Sequence, residues 1–344
     1  MNSWPRFLGI LLIAAVSGCG AAAPLNEQID AIFRTAHQQG KFNGSVLVTR
    51  KDRTLYEQSF GPADVEKNLP NTNDTRFLAF SVVKPMTAVL VFQQVEAGKV
   101  RLEDKLESIF PGLAAKPVGK ITLQQLLTHT SGVQEIIGDR LDRRITLEEL
   151  GRATVKANAD FEYSSTGYVC LGLVLEAVTG RSYEDLLREK ILEPAGMKDS
   201  GLARSGVAVP TLARGYRMQA GKLAPAELGV ALGVLDGAGS LYTTARDLWR
   251  FDRALAAEKI LSRKMQDVML TQQVKGRFGY GWFLSEQGGR YFPWHKGDFR
   301  GHAAMFVRQI NRGETIVILS NLEEADVLGL RTKILQLLKA HPAP

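Results

Sequence analysis

Two residues three apart have the clearest capacity for covalent chemistry: Ser81 and Lys84, in Phe80-Ser81-Val82-Val83-Lys84-Pro85-Met86-Thr87. Pro85 is tolerated in the first turn of a helix and breaks a longer one, so the helix must start near Ser81. Serine and lysine then share one face of that turn. A serine hydroxyl is a poor nucleophile until a base takes its proton. A lysine amine held against it and partly desolvated can have its pKa lowered enough to serve. The helix start favours negative charge at Oγ and leaves the Ser81 N–H free to meet a developing oxyanion. The tetrapeptide alone favours a blander reading, a capping serine beside a solvated lysine, and its neighbours have to decide.

Other reactive side chains are less promising. Cys170 sits among Val169, Leu171, Leu173 and Val174 with no base nearby in sequence, which suits a buried, inert thiol. His37, His302 and His341 lack metal-ligand spacing, and there is no H-E-x-x-H or C-x-x-C, so no metal and no other cofactor is expected. Gly237 and Gly239 are not followed by G-K-[ST] and read as a turn rather than a phosphate loop.

The elements that must position Ser81 and Lys84 come from both ends of the chain. Leu25, Ile29, Ile32, Phe33 and Ala36 share a helical face. Gly44 to Arg50 and Thr54 to Phe60 are strand-like, joined by a hairpin at 51–53. A helix is expected from Ser81 to about Ala97. Segments 122–128, 147–157, 166–178 and 183–193 have helical spacing, and Thr243 or Thr244 caps another helix through Leu255. Strands return at Phe278–Leu284, Arg290–Gly297, Gly301–Gln309 and Glu314–Asn321, and Val327–Leu338 closes the chain as an amphipathic helix. That order predicts an α+β fold. One antiparallel sheet is built from both chain ends, with terminal helices on one face and a mostly helical inserted lobe on the other.

The chain has 344 residues, 45% apolar, 23% charged and 8% aromatic, a composition that excludes a disordered or collagen-like chain. Two cysteines cannot make a disulfide scaffold. The formal charge of +7 is spread along the sequence without a basic run, so nucleic acid is not an expected partner. Residues 1–18, with Arg6 and the apolar stretch Phe7 to Val16, read as a secretory signal peptide. Val16-Ser17-Gly18-Cys19 is similar to a bacterial lipobox. In that reading Cys19 carries a lipid and anchors the mature chain to a membrane of the cell envelope, facing the periplasm or exterior. Ordinary cleavage after Ala21-Ala22-Ala23 is the alternative and would release a secreted protein.

Taken together, the segments resemble the serine β-lactamase and penicillin-binding-protein superfamily, in the branch of class C β-lactamases, D-alanyl-D-alanine carboxypeptidases and related esterases. The resemblance spans roughly residues 27 to 335. It is carried by Gly44–Val48, by Phe80–Ala88, and by Leu126-Leu127-Thr128-His129-Thr130-Ser131-Gly132. Phe161-Glu162-Tyr163-Ser164-Ser165-Thr166-Gly167-Tyr168, Asp236–Leu241, Phe278–Trp282 and His295-Lys296-Gly297 complete it. It implies that Ser81 is the nucleophile and Lys84 its base. Tyr163 relays the proton, with Lys84 favouring its phenolate character, and the N–H groups of Ser81 and Asp298 hold the oxyanion. Gly297 would let substrate backbone approach, and His295 would contact Tyr163 or the leaving group. His129 is expected to tie a loop and not to act as a base. Two departures matter. Ser165 stands where the branch has asparagine, which weakens the case for lactams and peptides and favours simpler esters. His295 replaces the lysine that binds a substrate carboxylate in penicillin-recognising members; Lys296 either supplies that charge or turns outward.

The implied organisation is a signal peptide (1–18), a tether (19–26) and a catalytic domain (27–340). Within that domain, 27–80 plus 240–340 form an α/β lobe and 81–239 a helical one. The implied activity is hydrolysis through an acyl-enzyme of an amide, lactam or ester carbonyl, in a small molecule or peptidoglycan peptide, by a monomer. The alternative is a catalytically weak wall-peptide-binding protein of the same fold.

Overall fold

Alternation along the strands decides the architecture. In β1 (Gly44–Arg50), Val46 and Val48 pack toward one side and Leu47 toward the other. The computed structural model, which describes residues 23–342 except 138–142, 158, 230, 275–277 and 288–289, extends that division across a six-stranded sheet. The other strands are β2 (Arg53–Phe60), β3 (Phe283–Gln287), β4 (Arg290–Phe299), β5 (His302–Gln309) and β6 (Glu314–Ser320). Their order is β3-β4-β5-β6-β1-β2, with every neighbouring pair antiparallel.

Ala303, Met305 and Val307 of β5 and Ile316 and Ile318 of β6 share a core with Ile29 and Phe33 of helix α1 (Leu25–Gln38). Ala304, Phe306, Val317 and Leu319 point the other way, into a larger core with the helical part of the chain. That core includes α2 (Lys84–Glu96), α3 (Ser165–Thr179) and α4 (Ala245–Ala256), while the closing helix α5 (Val327–Ala340) joins α1 through Ile334 and Leu338. The expected α+β arrangement, a sheet from both chain ends with helices segregated by face, is the one observed. Thr244 is the residue that caps α4, accepting from the Asp247 N–H at 3.2 Å.

Several expected elements fall elsewhere. Phe278–Trp282 is not strand: the Tyr280 N–H donates to the Met269 carbonyl and the Gly281 N–H to that of Leu127, so this segment is held by the helical part. Gly281 has φ +79° there, and a Cβ on it would lie 2.7 Å from that of Ala88. The strand begins at Phe283 instead. The helix expected at 147–157 stops at Arg152, since Val155 bridges to Val133. A helix at Arg263–Met269 and a hairpin of Tyr216–Gln219 with Lys222–Pro225 were not anticipated. Cys19 and the leader lie outside the described residues, among which no helix is long and apolar enough to cross a membrane.

Candidate active site

Ser81 lies in a single 3-10 turn, Phe80–Val83, that runs directly into α2 at Lys84, with Pro85 in the first turn of the α-helix where no N–H is required. In a 3-10 turn, residues i and i+3 eclipse. The Lys84 Nζ accordingly donates to Ser81 Oγ at 2.9 Å. Phe80, just before the serine, has φ +43°, a strained value for a bulky residue, and its ring is held by Phe299 and His302 at centroid distances of 5.4 and 5.9 Å.

Lys84 is fully buried. Its second strong acceptor is the Ala238 carbonyl at 2.9 Å, presented by the turn at 236–239. Thr87, one helical turn on, holds the same turn by donating to the Gly237 carbonyl at 2.7 Å. Gly237 is obligatory: its φ is +87° and a Cβ would meet the Tyr168 carbonyl at 2.5 Å. Burial pulls the Lys84 pKa down to about 7, against a smaller upward pull from the Glu135 carboxylate. The amine is therefore substantially neutral near neutral pH, the state in which it can accept a proton.

Tyr163 arrives on the loop before α3. Its phenol is close enough to Ser81 to feel that hydroxyl, and the Lys84 Nζ lies 4.9 Å from its ring centroid. Burial of the phenol raises its pKa above the ordinary value, and the nearby Ser81 hydroxyl pulls the other way. The residue is 38% exposed, so solvent moderates the rise. Lys84, about half protonated near pH 7, is not among the groups that pull the Tyr163 pKa down, and burial favours the protonated phenol. His129 supports it from below, with ring centroids 4.3 Å apart and Nδ1 accepting the Ser164 N–H at 3.1 Å. Buried and in a left-handed conformation (φ +57°), His129 ties the loop as expected.

Ser165 opens α3 with its hydroxyl 3.4 Å from the Lys84 Nζ, at the long limit of a hydrogen bond. The serine is thus present beside the lysine but too short to hold it firmly.

The third segment comes from β4. β3 pairs with it only as far as Trp294, while β5 pairs with it to Phe299, so one edge of 295–299 faces the turn that carries Ser81. Gly297 is required there for a reason other than the expected one. A Cβ would lie 2.0 Å from the Ala79 carbonyl oxygen and 3.0 Å from the Ser81 nitrogen, so it is the chain's own backbone that approaches. His295 is fully buried, 6.3 Å from Tyr163 between ring centroids; Nδ1 donates to the Lys296 carbonyl at 2.7 Å and Nε2 has no partner among the described residues. Burial holds its pKa down to about 3, so the ring is neutral. Lys296 and Asp298 point to the opposite face, that of Trp294, where they pair at 3.1 Å. Lys296 therefore puts no charge into the pocket.

Ser81, Lys84, Tyr163, Ser165, His295 and Gly297 converge; Asp298 brings its backbone to the same edge with its side chain turned away. The residue that escaped the sequence reading is Glu135, whose carboxylate accepts from the Ser165 N–H at 2.7 Å. Thirty residues separate the two, and no local pattern marks it. Cys170 is buried, its thiol pushed up to about 12 by burial, an unreactive state. Among the described residues, no group of His, Cys, Asp and Glu is placed to hold a metal ion.

Ser81, the buried Lys84 and Tyr163 thus meet at one junction of the sheet and the helices. The family model described as Beta-lactamase matches residues 29–339, and the chain belongs to that family. It is 29% identical over 331 residues to Penicillin-binding protein 4* of Bacillus subtilis (strain 168), covering 87% of this chain and 72% of that one. Over 255 residues it is 27% identical to teichoic acid D-alanine hydrolase of Staphylococcus aureus, covering 72% and 63%. The solved structure of D-amino acid amidase from Ochrobactrum anthropi SV3, complexed with L-phenylalanine, matches with a TM-score of 0.77 at 25% identity, covering 93% and 99%. The family thus includes hydrolases.

Proposed function

We propose that this chain is a serine hydrolase working through an acyl-enzyme on Ser81, and that its substrate is an ester or amide without a carboxylate beside the scissile bond. The observation that carries the mechanism is the buried Lys84 amine, 2.9 Å from the Ser81 hydroxyl with its pKa near 7. Lys84 takes the serine proton as Oγ attacks the carbonyl carbon. The N–H groups of Ser81 and Asp298 receive the oxyanion, a contribution of about 3–4 kcal/mol per donor in hydrolases generally. Tyr163 hands a proton to the leaving group and recovers one by way of Lys84. Water then releases the acyl group by the reverse sequence.

The substrate reading rests on charge. A β-lactam or a D-alanyl-D-alanine terminus carries a carboxylate that needs a cation. His295 is neutral, Lys296 is paired on the far face, and Ser165 replaces the amide that would grip an acyl-amide group. Esters and amides of D-amino acids, the type of group named for two relatives, meet no such requirement. The lipobox-like Val16-Ser17-Gly18-Cys19 supports an envelope address, with Cys19 as lipid anchor and a monomeric catalytic domain facing outward.

A fluorophosphonate probe on the purified chain is expected to label wild type and not Ser81→Ala. On the same preparation, p-nitrophenyl esters and D-alanyl esters should turn over faster than nitrocefin or D-Ala-D-Ala peptides. No labelling and no turnover of any of these would turn the assignment to the wall-binding alternative.

A further inference from the structure

Glu135 sits on the loop that follows the Leu126–Gly132 segment and reaches across to the start of α3. Its Oε2 accepts from the backbone N–H groups of Ser165 at 2.7 Å and Thr166 at 3.2 Å, and its Oε1 accepts from Thr166 Oγ1 at 2.7 Å. The first N–H groups of any helix lack an intrahelical acceptor, and the helix dipole favours an anion there. Ser164 satisfies the next one, its hydroxyl accepting the Gly167 N–H at 3.1 Å. The turn that places Ser165 beside Lys84 is therefore tied down by a side chain from a separate segment.

The same carboxylate acts on the lysine. Around Lys84 stand Tyr163, His129 on its loop, His295 on β4 and Tyr168 on α3. Both histidines are neutral near pH 7, held low by burial. Asp298 is paired with Lys296, and Asp236, next to the turn that Lys84 grips, is paired with Arg204 at 2.8 Å. Glu135 is the carboxylate whose charge opposes the effect of burial at Lys84. Without that opposition the amine would be neutral over a wider range but a weaker base toward the serine proton.

We propose that Glu135 is a positioning residue of the Ser81–Lys84 centre: it fixes the head of α3, and with it Ser165, against Lys84, and so sets a carboxylate charge one residue away from the lysine's own contact. The inference rests on the reading of Ser81 as the acylated nucleophile and adds a residue to it. The test is the rate of fluorophosphonate labelling of the full chain as a function of pH. Glu135→Gln keeps an acceptor for the helix N–H groups and removes the charge. Its labelling plateau is expected to fall, and the acid limb of the profile to move to lower pH. Glu135→Asp keeps the charge on a shorter stem, so it should label more slowly with its acid limb where wild type has it. A purely structural Glu135 lowers both plateaus and moves neither limb. An unmoved limb in Glu135→Gln, or a limb in Glu135→Asp displaced like that expected for Glu135→Gln, overturns the inference while wild-type labelling of Ser81 leaves the hydrolase reading intact. Absence of Ser81 labelling in wild type overturns both. Should Glu135→Gln fail to fold, Glu135→Met, similar in length and uncharged, is read in its place, and an unmoved acid limb in it overturns the inference.

Discussion

Gly297 and Ala79 touch backbone to backbone: a single Cβ on the glycine would sit 2.0 Å from the alanine carbonyl oxygen. Strand β4 and the turn bearing Ser81 can approach each other only because that atom is missing. The geometry of any oxyanion hole between them depends on the same contact. Gly297→Ala must push the strand away or distort the turn, an overpacking change that costs about 1–3 kcal/mol. A displacement on the order of 1 Å at a reacting centre can lose roughly 100-fold in rate. Gly297→Ala is therefore expected to melt below wild type and to label with fluorophosphonate about two orders of magnitude more slowly. Wild-type values of both, measured by thermal denaturation and by labelling rate, would show that the two segments separate freely.

Lys84 serves activity at a cost to stability, and both should rise with pH. The amine must be neutral to accept the serine proton, so acylation should rise with pH through about 7, where burial has brought its pKa from 10.5. Between those values the unfolded chain binds a proton that the native chain does not. Stability therefore climbs as pH rises from about 7 toward 10.5, and the full cost of burying the amine is present below about 7. Lys84→Met removes base and burial cost together: labelling should drop by several orders of magnitude while the melting temperature at pH 7 stays at or above that of wild type. Lys84→Arg, whose guanidinium stays charged, should be equally inactive and less stable. Near-normal acylation in Lys84→Met would take the lysine out of the chemistry.

What the sequence disclosed follows the range of each interaction. Val46, Leu47 and Val48 announce a two-sided strand because alternation is local, and Ser81 and Lys84 announce each other because three residues span one turn. The closeness of Tyr163 and of His295 came from resemblance, since no short-range pattern relates positions 81, 163 and 295. Phe278–Trp282 misleads: its aromatic and glycine residues suit a strand, yet long-range bonds to Met269 and Leu127 hold it elsewhere. Glu135 and the carbonyl of Ala238 were invisible for the same reason. One reaches a helix start thirty residues away, and the other acts through backbone, which has no letter in the sequence.

Ser165 offers a direct test of substrate choice. At 3.4 Å its hydroxyl does little for Lys84, so Ser165→Ala is expected to change ester turnover by less than about tenfold. Ser165→Asn supplies a longer arm with both a donor and an acceptor. Nitrocefin turnover and labelled-penicillin acylation should rise relative to p-nitrophenyl ester turnover in that variant. A ratio that stays at the wild-type value would mean that the missing carboxylate-binding cation, and not the missing amide, sets the preference.

Acid should unfold this protein through its buried histidines. Burial lowers His295 to about 3 and His302 to about 4 from the ordinary 6.5. Nδ1 of His302 and Nε2 of His295 have no partner among the described residues, so neither ring has an acceptor waiting for a second proton. Between about pH 4 and 6.5 the unfolded chain binds protons at both positions and the native chain resists. The stability contributed by the neutral rings is complete above 6.5 and is lost as pH falls toward the native values. Melting temperature should fall steadily over that window. His302→Gln, which cannot titrate, should fall less steeply than wild type between pH 6.5 and 4, whatever its stability at pH 8. Parallel slopes for the two proteins would mean that the His302 site opens to water before the ring has to accept its proton.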